Sequence, residues 1–281
     1  MASTLRRRAL GAGALGLLGI AGSGHAAESP HPPGESIDYA WDGRSAGHPE
    51  LAWMGRAYLS PIAARAKGPL PLLVFLHGLN KALIPHRWMG GGQEGDLRRI
   101  VGDLVDVERV APLVVAAPTS VVASQVSRGA SFDRFDLEHF LAETERALAS
   151  TVAIDRRRIL VAGHSGAGCS TAGGLATAPY GKQPLHAVMA IDTCMAPSLA
   201  VALARSPEAT QVIVTYQRLG WGSRPFTEFE RAFTREVAAH PSPSTRVLEE
   251  LHPRRAYHDR TVHLTLERWL PRLLPPSVTE P

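Results

Sequence analysis

Gly163-His164-Ser165-Gly166-Ala167-Gly168 follows directly on the apolar stretch RRILVAG. A serine flanked by small residues, where a strand turns into a helix, is the setting in which a hydroxyl becomes an accessible nucleophile. The small neighbours answer a steric demand. On a tight, strained turn, bulky side chains beside Ser165 would strike the strand and the helix. The helix expected to begin there would aim its partly positive end at the serine oxygen. The fifth motif position holds Ala167 where glycine is commoner, which bears on closeness of packing rather than on chemistry. The competing reading is a glycine-rich turn that binds a phosphate or nothing. Against it, no lysine follows in the phosphate-loop position and the G-x-G-x-x-G spacing is missing. The 12 histidines are scattered singly with no H-E-x-x-H pair, so neither a metal nor an organic cofactor is expected.

Such a serine needs a rigid scaffold. Strands are expected at 51–60, 70–78, 111–120, 157–166, 185–192, 210–217 and 244–252. LPLLVFLHG (70–78) is a continuous apolar run, as a strand covered on both faces should be. Helices are expected at 94–105, 133–150, 225–240 and 259–270, the second with Phe135, Leu137, Phe140, Leu141, Thr144 and Leu148 largely on one face. Strands alternating with helices imply an α/β fold: a mostly parallel twisted sheet with helices on both faces, in a single domain over 51–281. A chain of 281 residues, 44% hydrophobic, suits one ordinary core and is not disordered as its main state. Two cysteines exclude a disulfide scaffold or a cysteine-based zinc module.

Residues 1–26 read as an export signal. Arg6, Arg7 and Arg8 precede an apolar run from Ala9 to Ala21, then small residues around Ala26. The run is too short and glycine-rich to span a membrane, and no cysteine lies near the cut, so no stable membrane anchor is expected. The paired arginines suit a twin-arginine signal without its usual aromatic residue; a Sec signal with an arginine-rich start is the alternative. Either route places the mature protein in a bacterial periplasm or outside the cell. Residues 27–50 read as a lead-in segment. Removing the three arginines leaves 27 basic against 26 acidic residues, from totals of 30 and 26, so no nucleic acid partner is expected.

VFLHGLN, the block IDRRRILVAGHSGAG and a late histidine before the final helix together resemble the α/β-hydrolase superfamily, over residues 51 to 275. The resemblance implies a serine, acid, histidine triad in that chain order, with Ser165 as nucleophile. It also implies an oxyanion hole built from the backbone N–H groups of Gly166 and of the loop His77-Gly78-Leu79-Asn80, with Leu79 as the second donor and Asn80 next. His77 would hold that loop by hydrogen bonds. The base should lie between the last strand and the last helix. His258 can reach back over the serine, whereas His252 ends the strand and is locked before Pro253; His263 falls inside the helix. Many relatives carry the acid after the strand that here reads TQVIVTYQRLGWGSR, which contains none. Asp192 ends the preceding strand, as in some members, and is the expected acid. Glu228 and Glu230, both in an expected helix, are its alternatives; Asp259, beside His258 in sequence, has poor geometry for orienting that ring, and a strand-end turn is the competing role for Asp192. Cys169 and Cys194 are either a disulfide in an oxidising compartment or two separately buried thiols.

The rim of such a site should come from loops 79–96, with His86, Arg87 and Trp88, 119–132, and 217–225, with Trp221 and Arg224. Trp88 and Trp221 either bound an apolar pocket or pack the loops, and Arg87 and Arg224 are candidates for reading a substrate carboxylate. The favoured function is a secreted serine hydrolase that cleaves a carboxylic ester of a small molecule or polymer through an acyl-enzyme. A peptide or amide hydrolase of the same fold, and a non-catalytic exported binding protein, are the alternatives.

Overall fold

The computed structural model describes residues 32–41, 54–119, 132, 135–171, 173–220, 222–255 and 257–276. The expected export signal, most of the lead-in, most of the 119–132 loop and Trp221 lie outside the described residues. In chain order the elements are β1 (Glu35–Ala40), β2 (Met54–Leu59), α1 (Pro61–Arg65), β3 (Leu70–Leu76), α2 (Leu97–Asp106), β4 (Val114–Pro118), α3 (Leu137–Leu148), β5 (Ile154–His164), β6 (Ala187–Ile191), α4 (Pro197–Ala204), β7 (Gln211–Tyr216), α5 (Phe226–Ala239), β8 (Arg246–Glu250) and α6 (Tyr257–Leu273). The eight strands form one sheet in the order β1-β2-β4-β3-β5-β6-β7-β8. The pairs from β3 and β4 through to β8 are parallel, and β2 joins β1 and β4 antiparallel.

Alternation along the strands divides the core into two layers. Leu72, Val74 and Leu76 face one side with Val161, Val188 and Val214, beneath apolar residues of α3, α4 and α5. Leu73 and Phe75 face the other side with Leu160, Met189 and Ile213, beneath α2 and α6. Every residue of β3 is buried, as its unbroken apolar run demands.

Besides the short unexpected helix α1, three elements differ from expectation. Residues 35–40, within the expected lead-in, form the edge strand β1, so the sheet begins upstream of residue 51. Its outward residues are polar, and only Ile37 and Tyr39 pack on the core. The short helix α4, PSLAVALA, is apolar on nearly every side and carries no amphipathic period. Among the described residues, no α-helix begins directly at Ser165. The chain makes a single 3₁₀ turn, Ser165–Gly168, then two more at Gly174–Ala176 and Ala178–Tyr180. The stretch SGAGCSTAGGLATAPYG explains the correction, because each interior glycine costs an α-helix about 1 kcal/mol and proline about 3.

Candidate active site

Ser165 sits at the C-terminal edge of β5 with φ +55°. That left-handed conformation costs a non-glycine residue energy and persists only where the surroundings enforce it. The enforcement comes from the loop after β3. A Cβ placed on Gly78 would lie 2.7 Å from the Ser165 Cβ and 3.0 Å from its Oγ, so only glycine lets this backbone pass over the serine. A Cβ on Gly166 would lie 3.0 Å from the Leu79 nitrogen. The main chains at 78–79 and 165–166 are therefore packed against each other beside the hydroxyl.

Three side chains shape the Gly78–Leu79 turn. His77 is fully buried, and its Nδ1 pairs with the Gly78 carbonyl at 2.6 Å. Burial pushes this imidazole down to about 4, so the neutral ring donates an N–H to that carbonyl. Asn80 is buried and used twice within the loop, donating to the Ile84 carbonyl at 2.8 Å and accepting from the Ile84 N–H at 2.9 Å. Arg87 donates to the Leu79 carbonyl and pairs with Glu94. This arginine, one candidate for reading a substrate carboxylate, instead braces the loop.

Asp192 follows β6 and is wholly buried, with φ +43°. Its Oδ2 lies 2.7 Å from His258 Nδ1. Gln217 Nε2 donates to the same oxygen at 2.9 Å, and Arg224 Nη1 donates to Oδ1 at 2.9 Å. These three donors meet the lone pairs that burial would otherwise leave uncompensated. Arg224 is thus held by Asp192, not turned outward to a ligand, and burial pushes its guanidinium down. Gln217 was missed in the sequence. Its signal is its place: it follows β7, where the acid of many α/β-hydrolases is sought.

His258 is the second residue of α6, inside its first turn and not in the loop before it. Its ring packs on that of His164, the residue preceding Ser165, with centroids 4.3 Å apart. His164 Nε2 lies 3.2 Å from the His258 carbonyl, which also accepts from the Thr261 hydroxyl at 2.5 Å. His164 is enclosed on another side by the fully buried Trp88, at 5.6 Å, so Trp88 packs the interior and does not line a pocket. Burial, and then the charge of His258, hold the His164 imidazole well below its ordinary range.

The other candidates lie apart. His252 is exposed and faces Glu250 at 4.0 Å. Glu230 accepts from the Tyr216 hydroxyl and pairs with Arg218. Glu228 is an exposed residue in the first turn of α5. Burial raises the carboxyl of Asp259. His263 lies deeper in α6, where burial lowers it. His164, His258 and Asp259 form the one grouping of potential metal ligands among the described residues, with their ligand atoms within 4.8 Å. His258 Nδ1 is already committed to Asp192, and His164 Nε2 to a carbonyl.

Cys169 and Cys194 form a disulfide with Cα atoms 5.0 Å apart. It links the 3₁₀ turn behind Ser165 to the loop after Asp192. A Cβ on Gly168 would lie 2.5 Å from Thr193 Cγ2, so the two loops are also packed in contact.

No family model matches the sequence, and a search of curated proteins finds no significant match. Solved structures do resemble it. A ferulic acid esterase superimposes with a TM-score of 0.62 at 14% identity, over 86% of this chain and 98% of its own. An S-formylglutathione hydrolase from Agrobacterium tumefaciens gives 0.54 at 14% identity, over 86% and 96%. An IroE-like serine hydrolase from Shewanella oneidensis gives 0.53 at 12% identity, over 86% and 80%. With the sheet order above, these likenesses establish that the chain has the α/β-hydrolase fold. Among the described residues, no helix is long and apolar enough to cross a membrane.

Proposed function

We propose that this protein is a serine hydrolase that cleaves a carboxylic ester through an acyl-enzyme. The observation that carries the reading is the 2.7 Å pair of Asp192 and His258, whose imidazole packs on the residue before a serine held at positive φ. Asp192 accepts a hydrogen bond from the Nδ1–H, which stays on the ring, and so fixes the tautomer and leaves Nε2 to act as base. Ser165 Oγ attacks the ester carbonyl carbon as its proton passes to His258 Nε2. The carbonyl oxygen becomes an oxyanion between the N–H groups of Leu79 and Gly166. Collapse of this intermediate breaks the C–O bond, and His258 returns the proton to the departing alcohol. Water, activated by the same imidazole, then releases the acid and frees the serine. Esters are favoured because the structural neighbours include a ferulic acid esterase and a thermostable esterase.

Export to a periplasmic or extracellular space belongs to the same proposal. The arginine-led N-terminus and the disulfide both support it. The test is covalent labelling by a fluorophosphonate together with hydrolysis of 4-nitrophenyl acetate. Both should occur in the wild type and disappear in Ser165→Ala, with a turnover loss approaching about 10⁶-fold and thermal stability nearly unchanged. More than about a hundredth of wild-type turnover in the variant would refute Ser165 as the nucleophile.

A further inference from the structure

Arg224 lies in the loop between β7 and α5 and reaches the Asp192 carboxylate oxygen that His258 does not contact. Its Nη1 donates both to Asp192 Oδ1, at 2.9 Å, and to the Asp192 carbonyl oxygen, at 3.0 Å. One guanidinium nitrogen therefore holds the side chain and the main chain of the same residue. The main-chain bond matters because Asp192 has φ +43°, a conformation that non-glycine residues seldom take without restraint. On the other carboxylate oxygen, Gln217 Nε2 sits beside His258 Nδ1. Gln217 is itself oriented, since its Oε1 accepts from the Gly220 N–H at 2.8 Å. The 217–225 loop thus supplies two donors that set the rotation of the Asp192 carboxylate, and His258 takes the position that remains.

We infer that Arg224 is a positioning residue, which acts on the reaction through Asp192 and does not read the substrate. The inference rests on the proposed roles of Ser165, His258 and Asp192. A rim arginine that recognised a substrate carboxylate would offer its guanidinium outward, but the Arg224 side chain is only 11% exposed and its nearest carboxylate is the protein's own. In the proposed mechanism a fixed carboxylate would keep His258 Nε2 aimed at the serine proton. Misaiming by a fraction of an ångström lowers turnover and leaves substrate affinity intact.

The experiment compares Arg224→Gln and Arg224→Lys with wild type on neutral 4-nitrophenyl acetate and on the mono-4-nitrophenyl ester of glutaric acid, which carries a free carboxylate. Arg224→Gln should lower kcat by about 10- to 100-fold on both esters with KM within about twofold, and slow fluorophosphonate labelling of Ser165 by a similar factor. Arg224→Lys keeps the charge and can serve one acceptor, so its kcat loss should be smaller, about two- to fivefold, again at constant KM. Unchanged kcat in either variant, with or without a KM increase confined to the glutarate ester, would overturn the inference. Should Arg224→Gln fail to fold, the lysine variant decides by the same two readouts. A wild-type protein that neither labels nor hydrolyses either ester would instead refute the hydrolase reading itself, before any Arg224 variant is compared.

Discussion

His77 predicts a specific acid sensitivity. This imidazole is fully buried against the edge of Phe132, at 4.9 Å between centroids, with Nδ1 bonded to the Gly78 carbonyl. Burial moves it from 6.5 down to about 4 in the folded protein. In the unfolded chain it titrates as an ordinary histidine, near pH 6.5. Between those values the unfolded state binds the extra proton, so stability must fall as pH falls. The contribution of the neutral ring is whole above about pH 6.5 and gone below about pH 4. A gap of about 2.5 pH units at 1.36 kcal/mol each gives about 3 kcal/mol, a large part of the ~5–15 kcal/mol by which domains are stable. The neutral His164 acts in the same direction. The assay is urea unfolding from pH 7.5 to 4 for wild type and His77→Asn, whose side-chain amide can still donate to the Gly78 carbonyl. The two stability curves should converge towards low pH by about 3 kcal/mol, because the variant lacks the proton-linked loss. Parallel curves would refute the reasoning, since carboxylates and the other histidines titrate alike in both proteins.

Three other outcomes are expected. Asp192→Asn should lower kcat by about 10³–10⁴-fold by presenting the wrong partner to His258 Nδ1; steady-state turnover of 4-nitrophenyl acetate measures it, and a loss under tenfold would contradict the role. Gly78→Ala should abolish fluorophosphonate labelling, because the new Cβ would lie 2.7 Å from the Ser165 Cβ; labelling at the wild-type rate would show that the loop yields without cost. Reducing the Cys169–Cys194 bond, which closes 25 residues of chain, should cost about 3–4 kcal/mol of stability by loop-closure entropy, read from denaturant midpoints with and without reductant.

What the sequence discloses, and what it withholds, follow physical lines. The buried strands β3, β5, β6 and β7 are legible because each contains a run of buried apolar residues with a turn residue near its end. The meeting of Asp192 and His258 is legible only through the resemblance to the α/β-hydrolases, which implies the chain order of the triad and makes the lack of a carboxylate after β7 informative. Edge strand β1 is obscured because its exposed side must be polar and prolines and glycine precede it. The grip of Arg224 and Gln217 on Asp192 joins loops that are neighbours only because β6 and β7 pair. No local pattern records such a contact, and an isolated arginine in a loop resembles a rim residue until its partner is in view.

Under the proposed mechanism, a 3₁₀ turn in place of a helix behind Ser165 would shift the burden of oxyanion stabilisation. A long helix would bring a macrodipole to the serine oxygen; a four-residue 3₁₀ turn brings almost none. The proposed hole must then draw on the amides of Gly166 and Leu79 alone, and each has to be well oriented and well polarised. The Leu79 N–H and the Gly78 carbonyl are two ends of one peptide group, and that carbonyl accepts from His77 at 2.6 Å. A hydrogen bond at the oxygen end of a peptide strengthens the donor at its nitrogen end. Arg87 holds the next carbonyl, that of Leu79, so the plane of the following peptide is fixed too. On the other side, the disulfide and the Gly168–Thr193 contact restrain the turn that carries the Gly166 amide. In the proposed mechanism, local hydrogen bonds and one covalent link would thus do for this serine what a helix does elsewhere, and His77, buried and neutral, sits where loss of its bond would disturb both the fold and the proposed chemistry.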